Sequence, residues 1–125
     1  MTLLSSHPLD IDRQWRSRAA AVIPNGMYGH QSARALPEGY PQFLARGEGG
    51  RIWDVDGNEY VDFCLGDTGA MTGHSLPAVA DALHRQALRG ITTMLPSTDA
   101  AWVGGELARR FGLPVWQMAM TATDA

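Results

Sequence analysis

No lysine occurs among these 125 residues, and all ten basic residues are arginines. A chain without a side-chain amine has nothing of its own with which to form a Schiff base. Cysteine occurs once, at Cys64, which excludes an internal disulfide framework. Charged residues make up 18% of the chain and the formal net charge is −3, so the basic surface of a nucleic-acid backbone binder is missing. No stretch approaches the ~18 apolar residues of a membrane span. The opening Met1–Pro8 has neither a basic region nor an apolar run long enough for a secretory signal. The four histidines, His7, His30, His74 and His84, show no metal-ligand spacing. These absences lead to the expectation of a soluble, cytoplasmic protein with no metal site, no nucleic-acid partner and no membrane partner.

What is present is the composition of a folded domain. Apolar residues account for 45% of the chain, and a chain of this length can bury roughly two-thirds of the surface its unfolded form exposes. Leu9–Ile23 is predicted to be a helix, since Ile11, Trp15, Ala19 and Val22 recur at three- and four-residue spacing and Pro24-Asn25-Gly26 stops it. Met27–Glu48 is predicted to be irregular, with Phe43-Leu44-Ala45 as a short strand. Gly47-Glu48-Gly49-Gly50 precedes a strand instead of following one and opening a helix, so it is a turn and not a dinucleotide loop.

The plainest local signal comes next. Arg51-Ile52-Trp53-Asp54-Val55 and Glu59-Tyr60-Val61-Asp62-Phe63 alternate apolar and polar residues around Asp56-Gly57-Asn58. Asp-Gly supplies the positive φ values of a tight turn, so a β-hairpin is expected. Strand alternation and turn chemistry account for the acidic cluster Asp54, Asp56 and Asp62. A glycine- and threonine-rich loop, Gly66–His74, leads to Ser75, read as the cap of a helix with Pro77 in its first turn and Gly90 beyond its end. His74 is expected to help that cap. A second helix is predicted over Thr98–Phe111, capped by Ser97 or Thr98 and ended by Gly112 and Pro114. Val115–Thr121 is a nearly continuous apolar run, expected to be a strand buried on both faces of an α/β sheet. Such a strand without a sheet around it leads to the expectation that the chain is a fragment. Trp53 and Trp116 are expected to be packing residues, Cys64 a small core residue and His84 solvated.

Taken together these stretches resemble the N-terminal portion of the class III aminotransferases, the fold-type-I enzymes that use pyridoxal 5′-phosphate (PLP), in the branch of glutamate-1-semialdehyde aminomutase. Val22-Ile23-Pro24-Asn25-Gly26 is similar to that family's I-P-G-G at the end of a helix. Arg46–Phe63 is similar to its R-G-x-G-x-x-I-W-D-V-D-G-N-x-Y-I-D hairpin, and Gly73–Val79 to its G-H-x-H-P-A-V helix entry. The resemblance implies an α/β fold cut short: an N-terminal helix and antiparallel hairpin belonging to the small domain (residues 1–74), then the first helices and first strand of the large, PLP-binding domain (residues 75–125).

It also implies a site. Met120–Ala125 falls where the family has N-S-G-T-E-A, so Thr121, Ala122 and Thr123 would form the cofactor phosphate cup, with Ala122 in place of a glycine. The Schiff-base lysine and the groups that hold the pyridine ring belong to later parts of the family's sequence, so no catalytic residue is assigned here. Tyr28 and Asp67, on loops that border the active site in relatives, are the candidate substrate contacts. Ser32 stands where the aminomutases carry a carboxylate-binding arginine, with Arg34 two residues on, and Asp67 stands where a tryptophan is common. The aminomutase substrate is therefore not carried over. The implied partners are an amino donor, a carbonyl acceptor and a second copy in a homodimer of the intact enzyme. Three readings stay open for this chain: the N-terminal segment of a PLP-dependent aminotransferase, a non-catalytic assembly module or half of a split enzyme, and an inactive truncated product.

Overall fold

The computed structural model describes residues 8–28, 32–67, 69–119, 121 and 123. The chain divides into two units, Met1–Ala82 and Leu83–Ala125. The first opens with helix α1, Asp10–Val22, followed by short 3-10 turns at Pro24–Gly26 and Ala33–Ala35. Three strands follow, β1 (Leu44–Glu48), β2 (Arg51–Asp54) and β3 (Glu59–Val61), forming one antiparallel sheet in the order β1-β2-β3. Helix α2 covers Pro77–Ala87 and helix α3 Thr98–Phe111.

Three aspartates explain how the first unit is joined. Leu9, the residue before α1, has no side chain that can cap it. The cap comes instead from the hairpin turn. Asp56 accepts from the Ile11 and Asp12 backbone N–H groups at 2.8 and 2.9 Å, satisfying two of the donors that every helix start leaves open and placing negative charge at the positive end of the dipole. Asn58 donates to the Pro8 carbonyl at 3.0 Å beside it.

Asp12 performs the reverse connection. Its side chain is 0% exposed, and its Oδ1 accepts from the Gln42 and Phe43 N–H groups at 2.9 and 2.8 Å. Its Oδ2 pairs with the Arg16 guanidinium one turn along, and that guanidinium also donates to the Tyr40 carbonyl. Asp12 thus holds the chain that leads into β1 against α1, and Trp15 and Phe43 meet beside it at a ring separation of 6.4 Å.

Asp54, 1% exposed, organises the β2–β3 turn around itself. It accepts from the Asp56 and Asn58 N–H groups (3.0 and 2.8 Å), the Asn58 side-chain amide (2.9 Å) and the Tyr60 hydroxyl (2.8 Å). Burial opposes its ionisation, but the hydrogen bonds from Asn58, Tyr60 and Asp56 outweigh that and hold the carboxyl below its ordinary value. Burial and the adjoining Asp54 carboxylate push the Tyr60 phenol up to about 12. Gly57 supplies the positive φ (87°) that this turn requires. Against these contacts the apolar core is small: among the described residues only Leu9 and Ala19 are buried hydrophobics.

Several expectations need correction. β1 extends to Glu48, because Gly49-Gly50 makes a second tight turn and Arg46–Glu48 pair with β2. The Arg46 guanidinium lies 3.4 Å from the centre of the Trp53 ring in consequence. β3 stops at Val61, because Asp62 turns its carboxylate onto the Cys64 and Leu65 N–H groups, both at 2.9 Å. Phe63 is left 94% exposed, and Cys64 is exposed instead of a core residue. Ser75 does not cap α2: its φ is 54° and its hydroxyl donates to the Gly47 carbonyl at 2.6 Å.

In the second unit α3 ends as expected, with Gly112 in the left-handed region (φ 73°) donating to the Ala108 carbonyl at 2.9 Å. Glu106 pairs with Arg109 and Arg110 on one face. The apolar run after it is not a strand: Val115–Ala119 is irregular, with no ladder partner among the described residues. A strand exists only through its neighbour's hydrogen bonds, and here Trp116 packs on Phe111 instead, at 5.6 Å, its indole N–H on the Leu113 carbonyl.

Two measurements check this description. Asp12→Ala leaves the Gln42 and Phe43 donors unmet and takes from Arg16 its carboxylate, and should cost about 3–5 kcal/mol of unfolding free energy in urea, against about 1 kcal/mol for Asp56→Ala, which removes a helix cap. Equal, small effects of the two would contradict the ranking. A raised phenol pKa stabilises the fold fully below the ordinary value of 10 and ceases to do so as pH rises toward 12. Ultraviolet titration of the three tyrosines should therefore show one late ionisation that Tyr60→Phe removes; three coincident ionisations near 10 would refute it.

Candidate functional site

The loop between β3 and α2 carries the candidate substrate residue Asp67, and its two ends are brought together on the first hairpin. At its start, Asp62 holds the Cys64 and Leu65 N–H groups. At its end, His74 exchanges backbone hydrogen bonds with Gly49, at 2.9 and 2.8 Å. The His74 Nε2 lies 2.6 Å from Asp62 Oδ2, so the histidine expected to cap α2 joins the loop's two ends instead. The neighbouring imidazole and the two backbone donors hold the Asp62 carboxyl below the usual carboxylate range.

Asp67 is exposed, has a positive φ of 50°, and its Oδ1 accepts from the Cys64 thiol at 3.2 Å. Tyr28 is 84% exposed, just after the first 3-10 turn. The structure does not bring Tyr28 and Asp67 into hydrogen-bond contact with each other. Ser32 caps the second 3-10 turn, its hydroxyl accepting from the Arg34 N–H at 3.3 Å, and the Arg34 side chain is exposed.

Of the expected phosphate cup, Thr121 and Thr123 are exposed in a bend and a turn of the second unit, and Ala122 lies outside the described residues, as do His7 and His30. Two hydroxyls on exposed chain are a donor set that suits a phosphate. No side chain present offers an amine to an aldehyde. An open hollow of about 620 Å³ is lined by Glu48, Gly49, Gly50, Arg51, Trp53 and Val61, and none of the candidate residues borders it. Among the described residues no group of three or more His, Cys, Asp or Glu is placed to hold a metal ion, and no helix is long and apolar enough to cross a membrane.

Sequence reasoning does not find the Asp62–His74 pair. The signal available for it was the glycine on either side of the contact, Gly47 and Gly73, which pattern reading assigns to a turn and to a loop.

Comparison with known proteins adds the wider frame. The sequence model of the family described as Aminotransferase class-III matches residues 34–119. An aminopentol aminotransferase of Sphingopyxis macrogoltabida is 43% identical over 82 residues, 66% of this chain and 19% of its own length. A solved glutamate-1-semialdehyde aminomutase from Pseudomonas aeruginosa PAO1 superposes with a TM-score of 0.82 at 48% identity, over 91% of this chain and 25% of that one. The PLP internal aldimine form of the FumI protein from Sphingopyxis sp. MTA144 gives a TM-score of 0.70 at 36% identity, over 78% of this chain and 24% of that one. The chain therefore spans about a fifth to a quarter of the length of these relatives.

Proposed function

The chain belongs to the class III aminotransferases, and from that premise we propose that it is the N-terminal segment of a PLP-dependent enzyme that moves an amino group between an amino compound and a carbonyl acceptor. The observation that carries this reading is that sequence family and backbone agree over the same stretch, the hairpin and the helices after it. In this proposal residues 1–74 belong to the small domain and residues 75–125 open the large one. The intact enzyme works in the cytoplasm as a homodimer, with neither nucleic acid nor membrane as a partner.

Thr121, Ala122 and Thr123 are proposed to hold the cofactor phosphate, the two hydroxyls donating to its oxygens. When bound, PLP supplies the electron sink that lets a proton leave the substrate carbon. Tyr28 and Asp67 are proposed to meet the substrate. Asp67 adds a negative charge that attracts a cationic group and repels a carboxylate. Ser32 in place of an arginine removes a bidentate carboxylate fork. Both features direct preference away from an anionic amino acid of the semialdehyde type. For these 125 residues by themselves, the absence of lysine favours a second reading, a non-catalytic half that needs the rest of the family fold supplied to it.

The test is made on the intact protein. It should carry PLP and transfer an amino group to a small carbonyl acceptor, and Thr123→Ala should weaken PLP binding about tenfold or more, as expected for a hydrogen bond to a charged group. The 125-residue chain with its N-terminus blocked should gain no PLP mass after borohydride reduction. An intact protein that neither binds PLP nor transfers an amino group would overturn the proposal, and a reduced PLP adduct on the blocked chain would overturn the role given to the missing lysine.

A further inference from the structure

The loop from β3 to α2 holds its place on the hairpin against local conformational cost. Leu65, Asp67 and Ser75 all have positive φ (48°, 50° and 54°), a region that aspartate tolerates but that costs conformational energy at Leu65 and Ser75. Phe63 is exposed and so are Cys64 and Asp67, so no apolar packing of theirs holds the loop down. Its own turns, with the Ala70 N–H on the Leu65 carbonyl and the Gly73 N–H on the Ala70 carbonyl, both at 2.8 Å, shape it within itself, and what ties it to the hairpin is its attachment at the two ends.

We propose that Asp62 and His74 act as a positioning pair that clasps this loop onto the β1–β2 hairpin and so sets where Asp67 stands. The pair is 2.6 Å apart across 12 residues of sequence, with side chains 10% and 24% exposed, so water screens it only in part. One carboxylate does two things: Oδ2 meets the imidazole while Oδ1 fixes the first turn of the loop through Cys64 and Leu65. The Gly49–His74 backbone bridge and the Ser75 hydroxyl on the Gly47 carbonyl add two more ties between the end of the loop and the β1–β2 hairpin.

The hairpin is shaped to receive the histidine. A Cβ added at Gly47 would lie 2.7 Å from His74 Cγ and 2.9 Å from its Cβ, atoms too close to the backbone to move aside. A Cβ at Gly73 would meet the Gly49 backbone at 3.1 Å, and Gly73 has a φ of +91°. The two glycines leave the room that lets loop and hairpin touch backbone to ring and backbone to backbone. The chain's thiol reports on the same arrangement, since Cys64 donates its thiol to Asp67 and its own backbone N–H to Asp62.

The clasp stands on this geometry, and its consequence for substrate rests on the proposal that Asp67 contacts substrate. The two are tested separately. Amide hydrogen exchange on the whole 125-residue chain needs neither cofactor nor substrate. His74→Ala should speed exchange at Cys64 and Leu65 by about tenfold or more, the worth of a lost hydrogen bond to a charged group, while the β2–β3 amides of Ile52 and Tyr60 keep their rates. Gly47→Ala should do the same by displacing the His74 ring while leaving both members of the pair unsubstituted, and His74→Gln, which can return a donor to Asp62, should restore much of the protection. Unchanged exchange in both His74→Ala and Gly47→Ala would overturn the clasp, and so would a loss shared equally by Ile52 and Tyr60, since the pair would then hold the fold and not the loop. In the intact enzyme His74→Ala should raise KM for the amino compound several-fold with bound cofactor unchanged. An unchanged KM alongside faster loop exchange would keep the clasp and overturn the placing of Asp67 at the substrate.

Discussion

A carboxylate removed from water must find its hydrogen bonds inside the protein, and at Asp12 that requirement ties together segments 30 residues apart. Its Oδ1 takes two successive backbone N–H groups, Gln42 and Phe43, and its Oδ2 takes the Arg16 guanidinium. Helix α1 and the entrance to the sheet are thereby fixed to one side chain. Asp56 closes the circuit in the other direction by capping α1 from the hairpin turn, and Asp54 keeps that turn in the shape that presents Asp56. With Leu9 and Ala19 as its buried hydrophobics among the described residues, this unit depends on directed hydrogen bonds more than on apolar volume. Such bonds specify a register, because a shift of one residue leaves a buried donor or acceptor unmet.

The consequences reach the loops. Once α1 and the β2–β3 turn are locked, β1 is held along β2 and brings Gly47 and Gly49 to the place where His74 and Gly73 arrive. The loop carrying Asp67 then inherits its position from the sheet. The second unit has a different character. α3 is well terminated, but none of its residues is buried, and Trp102 and Phe111 are largely exposed. Its helical form follows from the Gly112 C-cap, since the expected Ser97 or Thr98 side-chain cap does not form at its start, and from the Glu106 pairs with Arg109 and Arg110, and its apolar stripe meets Trp116 at Phe111.

The pattern of what can be read from the sequence follows range. α1, α3 and the β2–β3 hairpin are legible because period, Asp-Gly and Gly112 act within a few residues. β1 is only half legible, since Arg46-Gly47-Glu48 has no strand alternation and pairs because Gly49-Gly50 turns the chain back. Ser75 looks like a helix cap by type and position, yet the Gly47 carbonyl 28 residues away takes its hydroxyl. Val115–Ala119 has strand composition without a ladder to join. The family resemblance, by contrast, rests on residues spread along the hairpin, and it places Tyr28, Asp67, Thr121 and Thr123 on loops without saying what those side chains touch. The aspartates read as turn chemistry are turn residues in part, but Asp56 also reaches α1 and Asp62 reaches His74, which no local pattern encodes.

Function therefore depends on whether this carboxylate-tied frame can serve as the opening quarter of a PLP enzyme. The most direct measurement replaces the corresponding segment of the Pseudomonas aeruginosa aminomutase with these 125 residues and reads bound PLP by absorbance in the purified chimera. Stoichiometric cofactor, lost on Asp12→Ala within the graft, is the result that a family frame held by that carboxylate predicts. A soluble, folded chimera that carries no PLP would contradict it.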